Sequence, residues 1–221
     1  MPVRFPMIAL ICGMLALAGC GGDGNGDGFA NAFTTQILSD SRFDGDIEQT
    51  GADTFTVTQG MSSTVQSVLV GIDPDAGTEF RAFLDFPLGG ANGVPADAII
   101  DSAFLEIFID DLLPITGKLP VRVDLVAFQP PTLIETDFSR TSQPALASVI
   151  VTPDIDRRDV GTLVPIDVTS LMIEAQRRGL VDFQVRILQD LGPAIPVLMV
   201  IDDTTGPDRS QRAPLLTVTY F

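Results

Sequence analysis

The chain contains no histidine, no tryptophan and one tyrosine, and its 13 basic residues face 29 acidic ones. Without histidine, it lacks the commonest general base and the commonest zinc ligand. A formal charge of −16 provides no basic surface to neutralise phosphates, so nucleic acid is excluded as an expected partner. Any catalysis would therefore have to run on carboxylates.

The first twenty residues have the layout of an export signal. Arg4 precedes an apolar run from Phe5 to Ala18 that is too short to cross a bilayer. The run ends in Leu17-Ala18-Gly19-Cys20, which resembles the lipobox of bacterial lipoproteins, whose cysteine carries diacylglycerol and becomes the first residue after cleavage.

This resemblance implies a signal peptide over residues 1–19, lipidation of Cys20 and a place in the bacterial cell envelope. Position 21 is glycine and not the aspartate of inner-membrane retention, so the outer membrane is implied in a Gram-negative host. Cys12 leaves with the signal and Cys20 is acylated, which excludes disulfides, thiol catalysis and cysteine-ligated zinc in the mature chain.

Residues 20–28 hold the expected acylated cysteine and a Gly/Asp-rich tether, because glycine at this density makes a flexible coil. The tether also contains the first half of an EF-hand loop. Thr34 stands where that loop requires its bidentate glutamate, so the pattern does not favour calcium. The residues of the half-motif are Asp23, Asn25, Asp27 and Gly28.

Residues 29–221 are expected to form a single all-β domain, an antiparallel β-sandwich or jelly roll. Apolar and polar residues alternate over 80–86 and 103–110, as in strands with one buried face. One short helix is predicted near residues 169–178, where Val168, Leu171, Met172 and Ala175 have helical spacing. Further strands are predicted at 121–128, 183–188, 196–201 and 215–221, with weaker candidates at 54–58, 65–70 and 147–151.

Four segments in fixed order resemble the DNRLRE-type β-sandwich domains of bacterial secreted proteins, some of which are carbohydrate-binding modules. The segments are RAFLDF at 81–86, AIIDSAFL at 98–105, IDVTSL at 166–171 and RAPLLTVTY at 212–220. The resemblance covers residues 50–221 and implies the sandwich fold. Members often carry tryptophans where this chain has Phe138 and Ala175, so the fold is implied more firmly than a sugar ligand.

Carboxylate pairs are the remaining source of catalysis, since glycosidases use two acids roughly 5–10 Å apart. Adjacent acids in a strand point to opposite faces, and most pairs here lie beside Gly or Pro, where solvated turn residues are expected. A carboxylate-based glycoside hydrolase is therefore only a distant alternative. The pairs are Asp73 with Asp75, Asp110 with Asp111, Asp154 with Asp156, and Asp202 with Asp203.

Loop aspartates also predict a possible structural Ca2+ site, because calcium is held by carboxylate and carbonyl oxygens. Two short stretches of sequence each contain three aspartates that could supply such oxygens. Arg157 and Arg158 lie beside the second group and could equally neutralise its charge. The candidate metal ligands are Asp202, Asp203 and Asp208, and Asp154, Asp156 and Asp159.

Sugar binding generally uses exposed tryptophan or tyrosine, and Tyr220 lies in a strand pattern where packing is its expected role. The negative charge leaves neutral glycans as the plausible class. The sequence thus predicts a lipid-anchored, non-catalytic envelope protein with a structural or protein-interaction role, and a neutral-glycan-binding module as the alternative. No catalytic residue is assigned, and the ligand-binding residues are not identified.

Overall fold

The computed structural model describes residues 31–128, 132–190, 192 and 195–221. The predicted signal peptide, Cys20, and the tether with Asp23, Asn25, Asp27 and Gly28 lie outside the described residues. The described chain is mostly antiparallel β-sheet with little helix, which confirms the predicted all-β sandwich. None of its helices in the described residues has the length and apolar character needed to cross a bilayer.

Fourteen strands and two helices are present among the described residues. The strands are β1 (Phe33–Leu38), β2 (Gly45–Gly51), β3 (Thr54–Gln59), β4 (Ser67–Ile72), β5 (Glu79–Pro87), β6 (Ile100–Leu113), β7 (Lys118–Leu119), β8 (Val121–Val126), β9 (Ala147–Ile150), β10 (Ile155–Asp156), β11 (Leu163–Asp167), β12 (Asp182–Gln189), β13 (Leu198–Asp202) and β14 (Leu215–Tyr220). The helices are α1 (Thr169–Arg177) and α2 (Arg209–Arg212).

Twelve strands form one curled sheet, and β7 pairs separately with β10. The main path runs β1-β14-β6-β13-β4-β5-β12-β8-β9, with β11 beside β6 and the β2–β3 hairpin beside β5. The long strand β6 joins the two layers of the sandwich. Its first part pairs with β14 and β11, and its last part pairs with β13.

Period-two burial holds in β6, where Ala103, Leu105, Ile107 and Ile109 are buried and Phe104 is exposed. The helix also matches its prediction, because Leu171, Met172 and Ala175 of α1 are buried. Strand β12 differs, since every residue from Phe183 to Gln189 is buried and the strand therefore has no solvent face. The polar residues of β12 must consequently find partners inside the protein.

Two hydrophobic clusters account for this burial. The larger one fills the space between the layers of the sandwich. The smaller one lies on the opposite face of β2, β5 and β8, beneath the segment that connects β8 to β9. It consists of Ile47, Phe83, Val126, Phe128, Leu133 and Phe138.

Candidate binding site

The segment between β8 and β9 covers one face of the sheet and forms a wall of the candidate site. Leu133 and Phe138 anchor this cover segment (residues 132–146) in the smaller hydrophobic cluster. Between them, a short 3-10 turn spans Glu135–Asp137, and the Asp137 carboxylate accepts a hydrogen bond from the backbone N–H of Ile134 at 2.9 Å.

Arg186, in the centre of β12, holds the cover segment against the sheet through hydrogen bonds. Its side chain is fully buried and donates through Nη1 to the carbonyl oxygens of Asp137 at 2.9 Å and Gln143 at 3.1 Å. Its Nη2 donates to Oδ2 of Asp124 on β8 at 2.9 Å. One guanidinium therefore joins two neighbouring strands and two points of the cover segment.

Asp124 is the fully buried counter-ion of Arg186. Burial raises its pKa, but hydrogen bonds from Ser148, Arg122 and Arg186 outweigh burial, so the pKa lies below its usual value. The shortest of these bonds come from the Ser148 hydroxyl at 2.6 Å and from Nε of Arg122 at 2.7 Å. Asp124 thus stays ionised and is well satisfied by its neighbours.

Arg140 on the cover segment has a weaker hold on the same carboxylate. Its Nε is 3.8 Å from Oδ2 of Asp124, which is beyond hydrogen-bonding distance. That Nε is buried and makes no hydrogen bond. Because Asp124 is already satisfied by three other donors, the Arg140 guanidinium keeps donors for another acceptor.

A pocket of about 500 Å3 lies between the cover segment and the β2–β3 hairpin. Phe55 of β3 and Phe138 form its aromatic part, with ring centroids 5.1 Å apart. The Arg81 guanidinium lies 3.9 Å from the centroid of the Phe138 ring and also donates to the Phe138 carbonyl oxygen. The polar lining comprises Gln49, Asp53, Arg81, Glu135, Thr136, Ser139, Arg140 and Ser142.

The lining of this arginine pocket mixes hydrogen-bond donors, acceptors and aromatic rings. Arg81 is held by Glu79, with 2.7 Å between the charged atoms, so Arg140 is the freer of the two guanidinium groups. The arrangement is suited to holding a polar group beside an apolar one.

A second cluster of acids lies inside the fold, where Asp44 and Asp203 are fully buried and interact through their side chains. Asp44 accepts a hydrogen bond from the Asp85 N–H at 2.8 Å, and Asp203 accepts one from Arg209 at 3.0 Å. Burial raises the pKa of Asp44 well above its usual value and that of Asp203 to about 6. Because both side chains are fully buried, a sugar has no access to this pair.

The acids proposed as metal ligands are held by arginines and turns. Asp202 lies 3.3 Å from Arg212, Asp203 is paired with Arg209, and Asp208 is exposed before α2. In the other cluster, Asp156 pairs with Arg158 at 2.7 Å, Asp159 accepts a hydrogen bond from the Asp156 N–H, and Asp154 is exposed. Among the residues that the structure describes, no group of three acids is arranged around a metal site, and calcium stays an untested prediction.

The other predicted pairs are turn or surface residues. Asp73 accepts hydrogen bonds from the N–H groups of Asp75 and Ala76, as expected for a turn. Asp110 lies 3.9 Å from Arg212, while the Asp111 carboxylate accepts a hydrogen bond from the Leu112 N–H.

Tyr220 stacks on Phe33 with ring centroids 6.1 Å apart, which agrees with its expected packing role, and it does not line the arginine pocket. The residues that build the pocket were missed by sequence reasoning. A signal was present, because Arg186 is the one charge within the apolar run 183–188, and Asp124 is the one acid within the run 121–128.

No protein-family model matches the chain, and a search of the curated proteins finds no significant match.

Proposed function

We propose that this is a lipid-anchored, non-catalytic protein of the bacterial cell envelope, with a structural or protein-interaction role, and that the arginine pocket is its binding site. The lipobox-like Leu17-Ala18-Gly19-Cys20 supports the anchor and the outer membrane as its place in a Gram-negative host. The pocket supports binding, and Arg140 is the observation that carries this proposal.

Arginine and aromatic side chains supply much of the energy at protein interfaces. The Arg140 side chain lines the pocket and is 29% exposed, and Phe55 and Phe138 lie beside it in the same pocket. A partner segment that places a carboxylate against Arg140 and an apolar side chain against Phe55 fits this chemistry. The bidentate geometry of guanidinium with carboxylate adds specificity.

Site-specific photo-crosslinking in the native bacterium tests this proposal. A photoreactive residue at Ser142, on the pocket wall, is expected to capture a discrete envelope protein. The adduct should disappear in R140A and persist in R157A, because Arg157 is an exposed arginine outside the arginine pocket. Absence of any adduct, or an adduct that R140A leaves unchanged, contradicts a protein partner at this site.

Neutral-glycan binding is the second candidate, and the half-buried ring of Phe55 favours it. An aromatic ring stacks on the C–H groups of a sugar, while Thr136, Ser139 and Ser142 can bond its hydroxyl groups. A neutral glycan that binds the wild type on an array and is lost in F55A would favour this role over protein interaction. The buried Asp44–Asp203 pair supports no hydrolase proposal.

A further inference from the structure

One end of the sandwich carries a patch of exposed apolar side chains. Ile99 and Val181 are each 70% exposed, the highest values among the large apolar residues of the described chain. Phe33 at 58% and Phe221 at 43% lie at the same end. Singly exposed apolar residues are ordinary, but a contiguous group of them marks an interaction surface.

The four residues are contiguous through backbone and ring contacts. Phe33 stacks on Tyr220, and the neighbouring Phe221 exchanges two backbone hydrogen bonds of 3.0 Å with Ile99. The Val181 carbonyl accepts a hydrogen bond from the Leu88 N–H at 3.0 Å. Tyr220, Leu88 and Val181 then line one mainly apolar pocket of about 500 Å3.

We propose that this anchor-end patch (Phe33, Ile99, Val181 and Phe221) rests on the surface of the bilayer that holds the acyl chains of Cys20. The inference depends on the proposed lipid anchor and adds a second, non-covalent contact with the membrane. Its occupant is zwitterionic lipid, whose headgroup and acyl boundary accepts aromatic and aliphatic side chains.

The position of the patch relative to the anchor supports this occupant. Phe33 opens β1, and Cys20 precedes it along the chain by so few residues that an extended connection reaches about 45 Å at most. The proposed anchor thus sets an upper limit on the distance between this end of the sandwich and the membrane. Binding energy from the patch then acts at the high effective concentration that a short tether provides.

The charges around the patch select the kind of lipid. Asp97 and Asp101 are exposed on either side of Ile99. The nearest cations on α1, Arg177 and Arg178, are both paired with Glu174, at 2.6 Å and 2.5 Å. An anionic leaflet would therefore be repelled, whereas a zwitterionic leaflet would be tolerated.

The absence of tryptophan from the sequence makes the test direct. V181W introduces a single fluorescent reporter into the patch at an exposed position. I115W is the matched control, because Ile115 is also exposed and follows the far end of β6, roughly 45 Å from the patch along that strand. Circular dichroism of both full-length proteins checks that they are folded.

The lipidated proteins are reconstituted into phosphatidylcholine vesicles that contain brominated lipid, which quenches only tryptophan at the membrane. We expect V181W to emit at shorter wavelength and to lose at least half of its fluorescence, while I115W keeps nearly all of it. Equal quenching of the two reporters, or quenching of neither, overturns the inference.

Two further measurements distinguish a failure of the proposed lipid anchor from a failure of the proposed membrane contact. Mass spectrometry of the reconstituted protein shows whether Cys20 is acylated, and a Cys20 without acyl chains contradicts the proposed function itself. Acylated protein with an unquenched V181W contradicts only the membrane contact. A blue shift that grows with protein concentration and ignores the brominated lipid assigns the patch to a second copy of the chain, which also overturns the inference.

Discussion

Arg186 shows how a single buried charge can hold a loop against a sheet and so shape a candidate site. It satisfies two carbonyl oxygens of the cover segment and the Asp124 carboxylate at once. A buried charge is costly to bring into a protein, and removing one partner of a buried pair is costlier still, because the other charge remains. Its expected role is therefore to position the wall of the arginine pocket.

R186M should destabilise the fold by about 3–5 kcal/mol, because it removes the fully buried counter-ion of a buried carboxylate. Urea unfolding followed by circular dichroism measures this change. The control is R157A, which changes an exposed arginine and should leave the midpoint unchanged. An R186M midpoint equal to that of the wild type would contradict the positioning role.

The pairing of strands β4 and β13 depends on a glycine, because the two backbones approach closely at Gly71. Gly71 has φ of 111°, a conformation that side chains rarely adopt, and an added Cβ would lie 2.1 Å from the Val197 carbonyl oxygen. G71A is expected to cost about 1–3 kcal/mol through overpacking, with the backbone strain added to it. Thermal unfolding of G71A beside G89A measures the difference, because a Cβ at Gly89 meets no atom within 4 Å. Equal midpoints for the two variants would contradict the expected clash between a Cβ at position 71 and the Val197 carbonyl oxygen.

Strands with one apolar face could be predicted from the sequence, and others could not. The alternation over 80–86 and 103–110 predicts β5 and β6, and the helical spacing predicts α1. Strand β2 was missed because its sequence, GDIEQTG, is mostly polar, although Asp46 and Ile47 are buried in it. Strand β11 was missed because it contains Pro165, which the sheet tolerates since β11 pairs only with β6.

The candidate site was harder to predict than these elements, because it depends on contacts between distant segments. Arg186 meets Asp124 across a strand pair and meets Gln143 in a loop. Periodicity describes which face of a strand is buried, but it says nothing about a loop that later covers the other face. The role of Arg186 within an apolar run therefore follows only from its contacts with the cover segment.

The molecule as a whole should be more stable at mildly acidic pH than at neutral pH. Burial raises the pKa of Asp46 to about 7 and that of Asp85 to about 6, and it also raises those of Asp44 and Asp203. An unfolded aspartate titrates near pH ~3.9. The stability from these protonated acids is complete below that value and is lost as the pH rises through about 6–7.

Acids with a lowered pKa have the opposite effect, because they make the protein less stable as the pH falls. Hydrogen bonds from Arg177 and Arg178 lower the pKa of Glu174 to about 2, so its contribution is present above the unfolded pKa and is lost as the pH falls toward 2. The free energy of unfolding should consequently peak at roughly pH 4–5. Urea midpoints between pH 3 and pH 8 measure this profile.

D46N should flatten the loss of stability between pH 5 and pH 7.5, because asparagine does not ionise and can still accept the hydrogen bond from the Leu69 N–H. D75N, at an exposed position, is the control and should keep the wild-type slope. A wild-type midpoint that rises from pH 5 to pH 7.5 would reverse the expected sign and contradict the effect of burial.

Mass spectrometry of the amino-terminal tryptic peptide tests the proposed lipid anchor, and with it the proposed place in the envelope, most directly. Protein purified from the native bacterium should yield a peptide that begins at Cys20, ends at Arg42 and carries a thioether-linked diacylglycerol. C20S should remove the lipid. A wild-type peptide that retains residues 1–19, or that contains Cys20 without lipid, would contradict the anchor and the place in the envelope that depends on it.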